Sequence, residues 1–127
     1  MTIAEWCVLA AVLIYLLTIA PFKPLGWRKF DNQNPRDPKF YQLPLRSRAL
    51  GAHINGIETF PFFAFAVLLA EFRHVSQSSL DELALLFVAL RLVFVAVYLA
   101  GWGWTRTAIW NLGFFANLAI FLLPIWR

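Results

Sequence analysis

Cysteine is nearly absent: Cys7 is the only one. That excludes an internal disulfide and offers no metal-ligand spacing, and a thiol inside an apolar run reads as inert and buried. Charge is scarce too, with 14% of 127 residues charged against 61% hydrophobic and 17% aromatic. A chain of this length makes one domain, and a small soluble domain leaves too much surface in water to hide so many apolar side chains. The first six residues contain Glu5 and no Lys or Arg, so the positive flank of a cleavable leader is missing. Repeats and low-complexity tracts are also lacking. The formal net charge of +4 comes mostly from one segment between two apolar runs. Nucleic-acid binding would spread basic residues over a surface with accessible aromatics, so that function class is set aside.

What is there fits a bilayer. Residues 6–22 carry no charge, which matches the ~20 apolar residues a spanning helix needs. The first span is expected at 3–21 and is retained. Residues 22–47 break off with Pro24, Pro35, Pro38 and Pro44 and a turn-rich Asn34-Pro35-Arg36-Asp37-Pro38 centre, so no continuous helix fits there. The second span is expected at 48–72, with Pro61 kinking it. Ser79 and Glu82 match a capping box that would start the third span at 80–100. Gly101-Trp102-Gly103-Trp104 reads as a tight turn before a fourth span at 105–124. The fold class is an all-α membrane protein, a four-transmembrane-helix bundle forming a single domain over 1–127.

Orientation follows from the basic residues. The 22–47 loop with Arg48 holds seven Lys/Arg, Arg106 adds one on the same side, and the other side has Arg73 and Arg127. The positive-inside rule then places loops 22–47 and 101–105 in the cytoplasm and both termini outside. Trp27, Trp102 and Trp104 on one side, and Trp6 and Trp126 on the other, suit interfacial belts.

The second span opens with a costly polar stripe. Arg48, Asn55 and Glu58 fall on roughly one helix face. Counting inward, Asn55 lies roughly 8–10 Å deep, Glu58 roughly 12–15 Å, and Arg91 of the third span about 13 Å. A charge at such depth costs about 2.5–3.5 kcal/mol and usually finds a partner inside the bundle, so a Glu58–Arg91 ion pair is expected. Tyr98 shares a face with Arg91, while Arg106, Thr107 and Trp110 open the fourth span nearby. Arg48, Tyr98 and Arg106 are shallow enough to meet an anion from water. His53 lies off the Asn55 face and reads as interfacial, and no residue pattern suggests a metal.

These residues carry a resemblance. Arg48…Ala52-His53-Ile54-Asn55-Gly56-Ile57-Glu58-Thr59-Phe60-Pro61-Phe62 resembles the second-helix signature of the MAPEG family, the membrane-associated proteins in eicosanoid and glutathione metabolism. Arg91 and Tyr98 match its third-helix Arg and Tyr, and Arg106-Thr107 with Trp110 is similar to its fourth-helix Arg-Ser…Tyr cluster. The compact length and the Asn34-Pro35-Arg36 loop look more like bacterial members, which implies a bacterial inner membrane. The resemblance implies a homotrimer that binds glutathione as co-substrate near the cytoplasmic face between subunits. The implied activity is that of a transferase or peroxidase toward lipophilic electrophiles or hydroperoxides. By that resemblance Arg48, Asn55, Glu58, Arg91 and Tyr98 would hold glutathione and Arg106, with Thr107, would stabilise its thiolate. Known members carry arginines where this chain has Gly51 and Ile54, which implies fewer glutathione contacts here.

The alternative is a non-catalytic membrane scaffold, or a lipid- or partner-binding protein, that retains the fold. An ion-linked transporter built on Glu58 and Arg91 fits less well, because no discontinuous helix pair or repeat is present.

Overall fold

The computed structural model describes residues 1–25 and 29–126. Trp27 of one expected aromatic belt, and Arg28 and Arg127 of the charge count, lie outside the described residues. The helices are α1 (Ile3–Ile19), a short α2 (Phe22–Leu25), α3 (Pro44–Phe72), α4 (Gln77–Ala100) and α5 (Gly103–Leu122), with single 3-10 turns at Phe40–Gln42 and Leu123–Ile125. Four segments are long and apolar enough to cross a membrane: Ile3–Pro24, Pro44–Phe72, Gln77–Ala100 and Gly103–Ile125.

α3 begins four residues earlier than expected from the sequence. Pro44 sits in its first turn, where a missing N–H costs nothing because that position has no intrahelical acceptor. Pro61 lies inside α3, which continues through it as one helix. Just before it the Thr59 hydroxyl donates back to the carbonyls of Asn55 (3.0 Å) and Gly56 (3.3 Å).

Helix ends explain two further departures from the sequence reading. α4 starts at Gln77 after Ser76, and no side-chain cap forms there. Ser79 therefore lies within the first turn, where its hydroxyl meets that of Ser76 at 3.3 Å. The expected Ser79–Glu82 box is replaced by one at α1: the Thr2 hydroxyl accepts from Glu5 N (3.1 Å) and Glu5 Oε2 accepts from Thr2 N (2.8 Å). The same Ser/Thr-x-x-Glu pattern occurs at both places. At α1 other helices reinforce it, because Thr2 donates to Glu71 and Ala4 N donates to Asp81 (2.9 Å), while Gln77 bridges Glu71 and Asp81.

Both returning turns close in the Schellman manner, in which two residues beyond the helix donate to its last unpaired carbonyls. After α4, Gly101 N and Trp102 N donate to Tyr98 and Val97, with Gly101 at φ 81°. After α3, His74 N and Val75 N donate to Glu71 and Ala70, and the left-handed position falls on His74 at φ 53°. A side chain in that conformation costs roughly 1–2 kcal/mol, partly offset by glycine's greater chain entropy. His74→Gly is therefore expected to stabilise the protein by about 0.5–1 kcal/mol, measured as a raised unfolding midpoint in detergent. An unchanged or lowered midpoint would contradict this account of the turn.

Small residues allow the spans to approach. Ala4, Cys7 and Ala11 of α1 pack with Ala66, Ala70 and Ala84 around Phe63, Phe87 and Ile120 at the end of the bundle away from the 22–47 loop, the kind of close-packed seam that replaces the hydrophobic effect in lipid. A Cβ at Gly56 would collide with Tyr15 Cβ, so this glycine sets the α1–α3 distance. At the other end the loop folds back, with Phe40 and Tyr41 buried against Ile19 and Ala49. Tyr41 donates to the Pro35 carbonyl (3.1 Å). Burial pushes its phenol above the usual tyrosine range, and Arg36 opposes that push.

Candidate functional site

Arg91 is the most buried charged side chain among the described residues, only 6% exposed. Its guanidinium Nη1 donates to Asn55 Oδ1 at 2.8 Å and its Cζ lies 4.2 Å from the centre of the Phe94 ring. No ion pair joins it to Glu58, so the expected Glu58–Arg91 bridge does not form. Asn55 is one helical turn nearer the 22–47 loop, and the long arginine side chain reaches it. Glu58 instead turns to an exposed position on the wall of a cleft. There the carboxylate faces the cleft rather than the guanidinium. The result is a buried cation whose ligands are a neutral carboxamide and an aromatic face.

The cleft lies between α3, α4 and α5, at the end of the bundle that carries the 22–47 loop. It has a volume of about 440 Å³ and is lined by Asn55, Glu58, Tyr98, Arg106, Thr107 and Trp110, with Gly51, Ile54 and Phe94. That size falls within the ~300–1,000 Å³ that small-molecule sites occupy. The Arg106 guanidinium sits over the Tyr98 ring, Cζ to centroid 4.7 Å. A stacked arginine keeps its N–H edges free for an anion while its face is held in place.

Gly51 explains how Tyr98 reaches this position. A Cβ there would overlap the Tyr98 hydroxyl and lie 2.8 Å from its Cζ. The phenol thus occupies the space that any side chain at 51 would need. The sequence reading marks Gly51 as a missing arginine; the structure gives that gap to Tyr98.

Of the seven residues expected to form the site, five therefore meet in one cleft, Asn55, Glu58, Tyr98, Arg106 and Thr107, and Trp110 joins them. Two stand apart. Arg91 lies beneath, on the wall of a neighbouring cavity. Arg48 donates through Nε to the Leu99 carbonyl at 3.0 Å, where it caps the C-terminal end of α4, a favoured place for a cation. Thr107 is in the cleft, but its hydroxyl donates to the Gly103 carbonyl of its own helix (3.1 Å), so its proton is already committed. His53 faces α1, with Nδ1 2.7 Å from the Tyr15 carbonyl. Since a carbonyl only accepts, Nδ1 carries the proton there.

The neighbouring cavity, about 180 Å³, is lined mostly by apolar side chains. It shares Glu58, Phe94 and Trp110 with the cleft. Trp110 stacks on Phe114 nearly parallel, centroids 5.6 Å apart. Asn117 lines it too and is a residue the sequence reading missed, because that reading took from the fourth span only its first turns, Arg106, Thr107 and Trp110. An uncharged amide in the middle of an apolar span was the available signal.

The architecture and the cleft define an integral membrane protein of four spanning helices with a polar site near one end of the bundle. Its family is also clear: the model of the MAPEG family matches residues 3–126, and the chain belongs to that family, which includes glutathione transferases and peroxidases. No curated protein and no solved structure gives a significant individual match.

Proposed function

We propose that the protein is a membrane glutathione transferase or peroxidase acting on lipophilic electrophiles or hydroperoxides. The observation that carries this reading is the Arg106–Tyr98 stack in a polar cleft that opens beside an apolar cavity. Glutathione has two carboxylates, an ammonium group and a thiol. The guanidinium edge of Arg106 suits an anion, and the exposed Glu58 carboxylate suits the ammonium. Arg91 below adds positive potential that no carboxylate within ion-pair distance cancels.

A thiol reacts as its thiolate, so a nearby cation that lowers its pKa is the main requirement. Arg106 meets it, and the Tyr98 hydroxyl is the available donor in place of the committed Thr107. With an electrophile, the sulfur lone pair forms the new carbon–sulfur bond as the leaving group departs with its electron pair. With a hydroperoxide, two glutathione thiols supply two electrons, giving an alcohol, water and glutathione disulfide. On this reading the cleft faces the cytoplasm of a bacterial cell, the protein resides in the inner membrane with both termini outside, and three subunits assemble around shared sites. A trimer would bring further side chains to a cleft that Arg48 does not reach within one subunit.

The test is a thermal-shift titration of the detergent-solubilised protein with reduced glutathione. A ligand present at 100 times its Kd adds about 2.7 kcal/mol to the folded state, which corresponds to a rise on the order of several degrees. No shift at millimolar glutathione would favour a scaffold or partner-binding role for the same fold.

A further inference from the structure

Asn117 is the one buried side chain among the described residues whose oxygen lacks a hydrogen-bond donor. It is 3% exposed and lines the 180 Å³ cavity between α3, α4 and α5. An orphaned carboxamide oxygen in an apolar surround is costly unless something donates to it. Gly113, one turn away on the same helix, also lines the cavity and is buried, and a Cβ there would meet nothing within 4 Å. Space and an unpaired carboxamide thus occur together, since Asn117 Nδ2 makes no hydrogen bond among the described residues either.

We propose that this cavity is a lipophilic-ligand site and that the Asn117 carboxamide hydrogen-bonds a hydroxyl group on the ligand. The volume sets the class, since a cavity of about 150 Å³ lined by apolar side chains holds one benzene. The occupant is therefore a ring-sized molecule, or the ring-bearing end of a larger one. Asn117 lies seven residues beyond Trp110, roughly 10 Å along the helix axis. Trp110 and Glu58 border both cavity and cleft, so a ligand whose hydroxyl reaches Asn117 presents its other end to the cleft. If glutathione occupies the cleft, as proposed above, that end is the reacting one. The acceptor substrate is then a lipophilic hydroxylated molecule with its electrophilic centre on the side away from the hydroxyl. This role rests on the glutathione reading; the binding itself does not.

Binding is tested without glutathione, by fluorine NMR of the full chain in nanodiscs with para-fluorophenol and fluorobenzene, and empty nanodiscs as the partition baseline. The wild type is expected to bind both probes saturably. In Asn117→Leu, which keeps the volume and removes the carboxamide, the affinity ratio should move toward fluorobenzene by roughly two- to tenfold, the worth of one hydrogen bond. Asn117→Leu should also unfold at a higher temperature, because the buried orphan is gone. Gly113→Leu should abolish saturable binding of both probes by filling the cavity. Signals no different from empty nanodiscs, or an unchanged ratio in Asn117→Leu, would overturn the proposal. Saturable probe binding without any glutathione thermal shift would keep the cavity site and remove its role as acceptor pocket. A glutathione shift without probe binding would remove the cavity site and leave the glutathione reading standing.

Discussion

Arg106→Ala is expected to weaken glutathione binding roughly 10- to 100-fold, the worth of a charge-assisted hydrogen bond. It should also raise the pKa of the bound thiol back toward about 8.5, the ordinary thiol value. The wild-type complex should show the ultraviolet absorbance of a thiolate at neutral pH, with a titration midpoint below the free thiol's. The variant should show that band only when pH is raised. The direction follows from charge alone: a cation beside the sulfur favours the ionised form, so removing it favours the neutral one. Arg106→Lys keeps the charge without the planar fork that lies on Tyr98, and should recover part of the pKa shift but less of the affinity. A thiolate midpoint that is the same in wild type and Arg106→Ala would end the assignment of Arg106 as the stabilising group.

The second large effect belongs to stability. Asn55→Leu removes the 2.8 Å acceptor of a guanidinium that is almost fully buried. Stranding a buried charge typically costs about 3–5 kcal/mol, and a melting temperature lower by roughly 10 °C or more is expected. Adding Arg91→Met should restore most of the loss, since a well-packed apolar replacement of a buried polar pair is often neutral or better. Glu58→Gln should barely move the midpoint, because the carboxylate is exposed and makes no ion pair with Arg91. A Glu58→Gln effect as large as that of Asn55→Leu would mean that Glu58, not Asn55, is the working partner of Arg91.

The contrast between those residues marks what the sequence made legible. Span number and approximate limits follow from apolar runs and proline placement. A rise of 1.5 Å per residue is enough to bring Asn55, Glu58, Tyr98 and Arg106 to one end of the bundle. Depth does not give rotation about the helix axis, nor the reach of a long side chain. Glu58 and Arg91 therefore looked paired when counted by level, while Arg91 in fact reaches Asn55 on the neighbouring turn. Capping failed for a related reason: Thr2–Glu5 and Ser79–Glu82 match the same pattern, and what separates them is where the helix starts and whether distant side chains support the box. Arg48 shows the same limit. Its depth suited an anion site, but the free Leu99 carbonyl at the end of α4 is within its reach.

The close approach of Tyr98 to the backbone at Gly51 makes the order of mutational steps matter. Gly51→Arg on its own would drive the phenol out of its place, disturbing the stack under Arg106 before the new guanidinium could contribute anything. A smaller residue at 98 would have to come first, and that step alone gives up the ring that Arg106 rests on. Two sequences differing at both positions could each hold a working cleft while the single-change intermediates between them do not. Positions 51 and 98 are thus expected to change as a linked pair, with the chain's present choice resisting either substitution alone.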